Sequence, residues 1–168
     1  MRHLVGKGSS PSCDVPFSTV DHLSINTKEF ANSLRALEPD ILLVSACPLL
    51  KPEIFEIPKL GTINVHRGIA PKYRGDRTVF WPLYHQDFEH VGITLHLIDR
   101  GIDTGPVLAY GFPELCPGDT EATILAKSME MAADLVGKLL MDAGPCRVNG
   151  VRQAASGRCF YYRDQRIW

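Results

Sequence analysis

INVHRGIAPKYRG (residues 63–75) and GITLHLIDRGIDTG (residues 92–105) decide how this chain is read. In the first, Asn64 and His66 stand two apart at the end of a short apolar run, so an extended Ile63 to His66 points both side chains to one face of a sheet. Gly68, Pro71, Arg74 and Gly75 then predict an ordered loop. In the second, Ile93, Leu95 and Leu97 alternate with Thr94, His96 and Ile98, the period of two of a strand. It runs out into Asp99-Arg100-Gly101-Ile102-Asp103-Thr104-Gly105, a loop with two carboxylates and two glycines.

An Asn, a His and an Asp delivered from two strand ends suit acyl transfer. The imidazole moves a proton near neutral pH, the amide donates to a carbonyl oxygen gaining charge, and the carboxylate orients the imidazolium. No Ser or Cys nucleophile is needed if the substrate brings an amine. Each residue also has an ordinary use: His as a hydrogen-bonded strand-end residue, Asn and Asp-Thr-Gly in turns.

These two segments resemble the signature of the folate-dependent formyltransferase family, which includes glycinamide ribonucleotide, methionyl-tRNA and sugar-nucleotide formyltransferases. The resemblance is carried by Asn64-Val65-His66, Ala70-Pro71, Tyr73-Arg74-Gly75, Gly92-Ile93-Thr94, Asp103-Thr104-Gly105 and Gly118-Asp119-Thr120. One departure is Gly68, where many members carry Ser. The resemblance implies transfer of a formyl group from 10-formyltetrahydrofolate to a small-molecule amine, without metal, with Asn64, His66 and Asp103 as the reacting trio. It also implies that Leu49, Leu50, Ile98, Asp99, Arg100 and Ile102 clasp the pterin. Members normally open with a strand, a glycine-bearing turn and a helix, and no such opening is read here. The resemblance thus covers about residues 15–145, the later part of the usual catalytic domain and an incomplete Rossmann-type unit.

Arg67, Arg74 and Arg77 cluster near this region and suit an anionic substrate group; alternatively they are solvated or pair with Asp76 and Glu89. His96 shares the strand parity of Thr94 and reads as a packed sheet residue. Three rival functions stay open: hydrolysis of the formyl donor, a metal hydrolase built on His66, His96, Asp99 and Asp103, and a non-catalytic remnant or interaction module.

Strands alternating with helical patterns predict an α/β fold with a mainly parallel sheet and flanking helices. The order starts with a flexible segment 1–14 and a short strand from Val15 to Val20. A helix over Thr27 to Glu38 follows, with Asn26 as its cap and Glu29 completing a capping box. Ile41 to Val44 reads as a parallel strand covered on both faces. Pro52 to Phe55 opens a helical turn, and Pro82 sits in the first turn of, or kinks, the apolar segment Thr78 to Gln86. Val107 to Phe112 is a strand, and Thr120 caps a helix to Met141 whose apolar stripe includes Ile124, Ala132 and Val136, stopped by Gly144-Pro145. The tail, 146–168, offers short strands around Val148 to Gln153 and Cys159 to Tyr162.

At 168 residues and 45% hydrophobic content, one domain can bury a core. A formal net charge of -1 gives no basic field for nucleic acid. No apolar run approaches a membrane helix, and Met1-Arg2-His3 leads into no signal-like segment, so a cytoplasmic location is expected. Five scattered cysteines without a CxxC pair read as reduced and structural. A sheet edge left open by the short start predicts a homodimer or a completing chain.

Overall fold

The computed structural model describes residues 19–143, 148–154 and 157–165. The helix α1 spans Lys28–Ala36, followed by strand β1 (Ile41–Ser45), the turn of helix α2 (Pro52–Phe55), strands β2 (Gly61–His66) and β3 (Tyr73–Gly75) and helix α3 (Phe80–Tyr84). Strands β4 (Ile93–Leu97) and β5 (Val107–Gly111), the long helix α4 (Glu121–Ala143) and strand β6 (Arg158–Phe160) complete the order.

The α/β layout with flanking helices holds, and its main sheet is mixed. Its order is β1-β2-β4-β5, with β1 and β2 parallel and the β2·β4 and β4·β5 pairs antiparallel. A separate two-stranded sheet pairs β3 with β6, also parallel. The period-two pattern decides what each face does. Ile63, Val65, Ile93 and Leu95 pack with Ala132 and Val136 of α4. Asn64, His66, Thr94 and His96 therefore face the other way. On that second side α1 and α2 bury Ala31, Leu34 and Ile54 against Leu42.

β1 departs from the sequence expectation of cover on both faces. Leu43 is 46% exposed, and β1 is an outer strand among the described residues. An apolar run specifies a strand but not whether both its faces meet a neighbour. The cap of α1 is also shifted by one residue: the Thr27 hydroxyl accepts from the Phe30 N–H at 3.3 Å. Asn26 instead donates to the Leu49 carbonyl (2.9 Å) and accepts from the Lys51 N–H (2.8 Å), tying the loop after β1 to the start of α1.

Pro82 lies in the first turn of α3, where its missing N–H costs nothing. The Thr120 hydroxyl accepts from the Thr123 N–H at 3.2 Å, and α4 runs two residues past Met141. Of the expected tail strands, β6 forms, whereas Val151 makes an isolated antiparallel bridge to Val107. Residues 1–14, most of Val15 to Val20 and the Gly144-Pro145 stop lie outside the described residues; Thr19 and Val20 have no regular structure.

Candidate active site

The β2·β4 register sets Asn64 opposite His96 and His66 opposite Thr94, so four polar side chains of two adjacent strands share one face. Thr94 is wholly buried and pins the loop that leaves β2: its hydroxyl donates to the Gly68 carbonyl (2.6 Å) and accepts from the Ala70 N–H (3.0 Å). This loop then folds back as β3 beside the same strand end.

Asp103 comes to this face from the loop after β4, in a left-handed backbone conformation (φ 51°) that Asp tolerates better than most residues. Its carboxylate is met on both oxygens. Oδ1 accepts from Asn64 Nδ2 at 3.1 Å and lies 3.3 Å from His96 Nε2, while Oδ2 accepts from the Gly75 N–H at 2.8 Å and lies 3.3 Å from His66 Nδ1. The expected trio of Asn64, His66 and Asp103 is thus brought together, and His96 joins it. His96 is packed, as its parity suggested, with 2% of its surface exposed. Its placement beside Asn64 Nδ2 at 3.2 Å was missed, because parity gives the face and only the register gives the neighbour.

His96 Nδ1 lies 2.8 Å from the Leu97 carbonyl, and its Nε2 stands between Asn64 Nδ2 at 3.2 Å and Asp103 Oδ1 at 3.3 Å. His66, 5% exposed, holds its Nε2–H against the Tyr73 carbonyl at 2.8 Å and turns Nδ1 to Asp103. Burial pulls the His66 imidazole below its ordinary value, against the upward pull of Asp103 and of the Tyr73 carbonyl. For Asp103 burial acts upward, and the His96 hydrogen bond, the neighbouring His66 and the Gly75 N–H together outweigh it, leaving the carboxyl below its usual range. Asp103 is therefore ionised at neutral pH and His66 rests neutral, with Nδ1 as the place for an incoming proton.

A pH dependence of stability follows from these directions. The unfolded chain takes a proton on His66 near pH 6.5, a proton the buried folded ring resists, so stability falls as pH drops below about 6.5. Asp103 contributes above its unfolded value of 3.8 and loses that contribution only at more acidic pH. Thermal midpoints from pH 8 to pH 4 should decline first below about 6.5, and His66→Gln should flatten that step. An unchanged midpoint between pH 7 and pH 5 would contradict the assignment.

The trio borders a cavity of about 850 Å³. Leu49, Leu50, Ile98, Asp99, Arg100 and Ile102 all line it, and so does Arg67. Their surroundings differ. Leu49 is 70% exposed, whereas Leu50 is half-buried against the α1/α2 core. The Asp99 carboxylate is spent on its own loop, accepting from the Gly101 N–H (3.0 Å) and the Thr104 hydroxyl (2.6 Å). Arg74, expected to hold substrate, does not line the cavity; its Nη2 donates to the Gly157 carbonyl at 2.6 Å, because β6 lies alongside β3 and captures it. Arg77 pairs with Glu121 at 3.1 Å rather than with Asp76 or Glu89. Among the described residues no group of three or more His, Cys, Asp and Glu side chains is arranged to hold a metal ion, so the metal-hydrolase arrangement finds no support. No helix among them is long and apolar enough to cross a membrane. Gly68 is closely packed: a Cβ there would meet Thr78 Cβ at 2.6 Å and His66 Nε2 at 2.8 Å, so a Ser at this position has no room without a shift of its neighbours.

Comparison with known proteins bears on the whole arrangement. Methionyl-tRNA formyltransferase of Myxococcus xanthus is 35% identical over 127 residues, covering 75% of this chain and 39% of that protein. The enzyme of the same name from Thermosynechococcus vestitus is 39% identical over 104 residues, covering 61% and 31%. The chain thus spans well under half the length of these curated relatives. Among solved structures, the formyltransferase PseJ from Anoxybacillus kamchatkensis, in complex with UDP-4,6-dideoxy-4-formamido-L-AltNAc and tetrahydrofolate, superposes with a TM-score of 0.67 at 22% identity, covering 75% of this chain and 66% of that one. A 4-N formyltransferase from Francisella tularensis gives a TM-score of 0.70 at 20% identity, covering 83% and 56%. These two likenesses show a shared fold. With the formyl transferase family profile matching residues 4–139, the chain belongs to the formyl transferase family.

Proposed function

We propose that the chain carries the donor pocket and reacting residues for transfer of a formyl group from 10-formyltetrahydrofolate to an amine of a small-molecule acceptor. The observation that carries this is the convergence of Asn64, His66 and Asp103 on one carboxylate-centred cluster at the edge of a large cavity. The size and mixed lining of the cavity support a flat heterocycle with a polar rim as its ligand: Leu49, Leu50, Ile98 and Ile102 offer apolar surface, and Asn64, His66 and Asp103 stand among the polar lining.

Bound there, the donor supplies an activated formyl carbon and a nitrogen leaving group. Asn64 donates from Nδ2 to the formyl oxygen as it gains charge. Both N–H groups of that amide now face Asp103 and His96, so one is released when the oxygen arrives. As the amine nitrogen bonds to the formyl carbon, His66 accepts its proton at Nδ1, and the adjacent Asp103 carboxylate stabilises the charged ring. That proton then passes to the folate nitrogen, whose bond to the formyl carbon breaks to release tetrahydrofolate. Arg67, which lines the cavity and makes no ion pair among the described residues, is placed to meet an anionic group of the acceptor.

Calorimetric titration with a non-reactive folate donor analogue tests the pocket. Saturable binding is expected, weakened about tenfold, or about 1.4 kcal/mol, by Leu49→Asp. That variant sits on an exposed side chain and spares the fold. Absence of binding by the wild-type chain would remove the donor pocket and the proposal with it.

A further inference from the structure

We propose that Gln153 is a positioning residue for Asp103, which makes residues 148–154 a working part of the site. The inference rests on the reading of Asp103 given above. Gln153 Nε2 donates to the Asp103 carbonyl at 2.9 Å and to the Gly105 carbonyl at 2.8 Å, so both its N–H groups are spent on the same loop. The first half of that loop is self-supporting, through the Asp99 carboxylate. The second half carries the left-handed Asp103 and is tied down from outside, by a side chain 50 residues further along.

Gln153 is itself well seated. Val107 and Val151 exchange two backbone hydrogen bonds of 2.8 Å each, and Gly150 lies so close to Pro106 that a Cβ would meet it at 2.7 Å. The segment thus docks along the strand that follows the Asp103 loop, and Gln153 reaches back from it. It lies beyond the stretch matched by the family profile, residues 4–139. The consequence is geometric. The Asp103 carboxylate must satisfy Asn64, His96, His66 and Gly75 at once, and a small rotation of its backbone breaks several of these contacts together.

The test compares the full chain with Gln153→Met, which keeps the length and loses the donor, and with Gln153→Ala. Arg152→Ala, an exposed neighbour, is the control. The readouts are the pH titration of the His66 ring by NMR and hydrogen exchange at the Gly75 amide. The groups facing that ring are Asp103, the Tyr73 carbonyl, the His96 ring at 6.1 Å between centroids, and Arg67. Of these, the loop of Asp103 is the one Gln153 hydrogen-bonds among the described residues. In both variants His66 should therefore titrate at lower pH, and the Gly75 amide should exchange faster. In the transfer assay kcat should fall on the order of a hundredfold with little change in KM for the donor. Arg152→Ala should match the wild type.

An unmoved His66 titration and unchanged Gly75 exchange in a folded Gln153→Met chain would overturn the proposal, whatever its melting temperature. A displaced titration in a chain whose wild type transfers no formyl group would uphold the positioning role and sink the functional proposal instead.

Discussion

Replacing His66 with Ala is expected to lower the rate constant of formyl transfer by about 10²–10⁴-fold, the range that a positioned proton-transfer group supplies. The ring is the one group in the cluster able to take the proton of an attacking amine near neutral pH. His96 is as deeply buried, but both its ring nitrogens are taken up, Nδ1 by the Leu97 carbonyl and Nε2 by Asn64 and Asp103. Asp103 is held ionised, yet its oxygens are already occupied by Asn64, Gly75 and the two imidazoles. Asp103→Asn should cost a comparable factor by another route. It removes the charge that stabilises protonated His66, and its NH₂ group must replace an oxygen that now accepts from Asn64 or from the Gly75 N–H. Because the two residues act as a unit, the double variant should be little worse than either single one. Single-turnover rates at saturating donor, with circular dichroism to confirm folding, give the result. Rates within a few-fold of wild type in both single variants would refute the mechanism.

The same residues show what local sequence can and cannot specify. That Asn64 and His66 share a face follows from the pleat alone, and Ile63, Val65, Ile93 and Leu95 confirm it by packing on the opposite side, against α4. That His96 abuts Asn64 follows only from the antiparallel register of two strands about thirty residues apart, which neither strand encodes alone. The Asp103 loop was legible as a carboxylate-bearing turn, and its convergence with the trio was an expectation drawn from resemblance. For Arg74 the local sequence offers a substrate contact, solvation, or pairing with Asp76 or Glu89. Its partner is Gly157, 83 positions away. Gln153 gave no signal, since an isolated Gln between Arg152 and Ala154 has no periodicity and no motif. The exposure of Leu43 was hidden for the converse reason: Ile41 to Val44 is uniformly apolar, so the run itself carries no face information.

Gly105→Ala is expected to be strongly destabilising, costing about 3 kcal/mol of stability and lowering the melting temperature by about 6–12 °C in a domain of this size. Gly105 is buried where the Asp103 loop turns into β5, and a Cβ there would lie 1.8 Å from the Leu97 carbonyl oxygen and 2.8 Å from its carbon. That obstacle is strand backbone, which cannot swing aside as a side chain would. Leu97 is fixed by its own N–H to the Pro106 carbonyl at 2.9 Å, and Ile98 by its N–H to the Thr62 carbonyl at 2.8 Å. The loop must therefore lift off the strand. Lifting it pulls the Gly105 and Asp103 carbonyls from Gln153 and the Asp103 carboxylate from both histidines. If the donor sits against Leu49, Leu50 and Ile98 as proposed, its binding should weaken less than turnover does. Gly118→Ala is the contrast: nothing lies within 4 Å of a Cβ there, and although its positive φ adds strain, that turn supplies none of the Asp103 contacts. Equal losses of turnover in the two glycine variants would show that the site does not depend on how closely the Asp103 loop is pressed against β4.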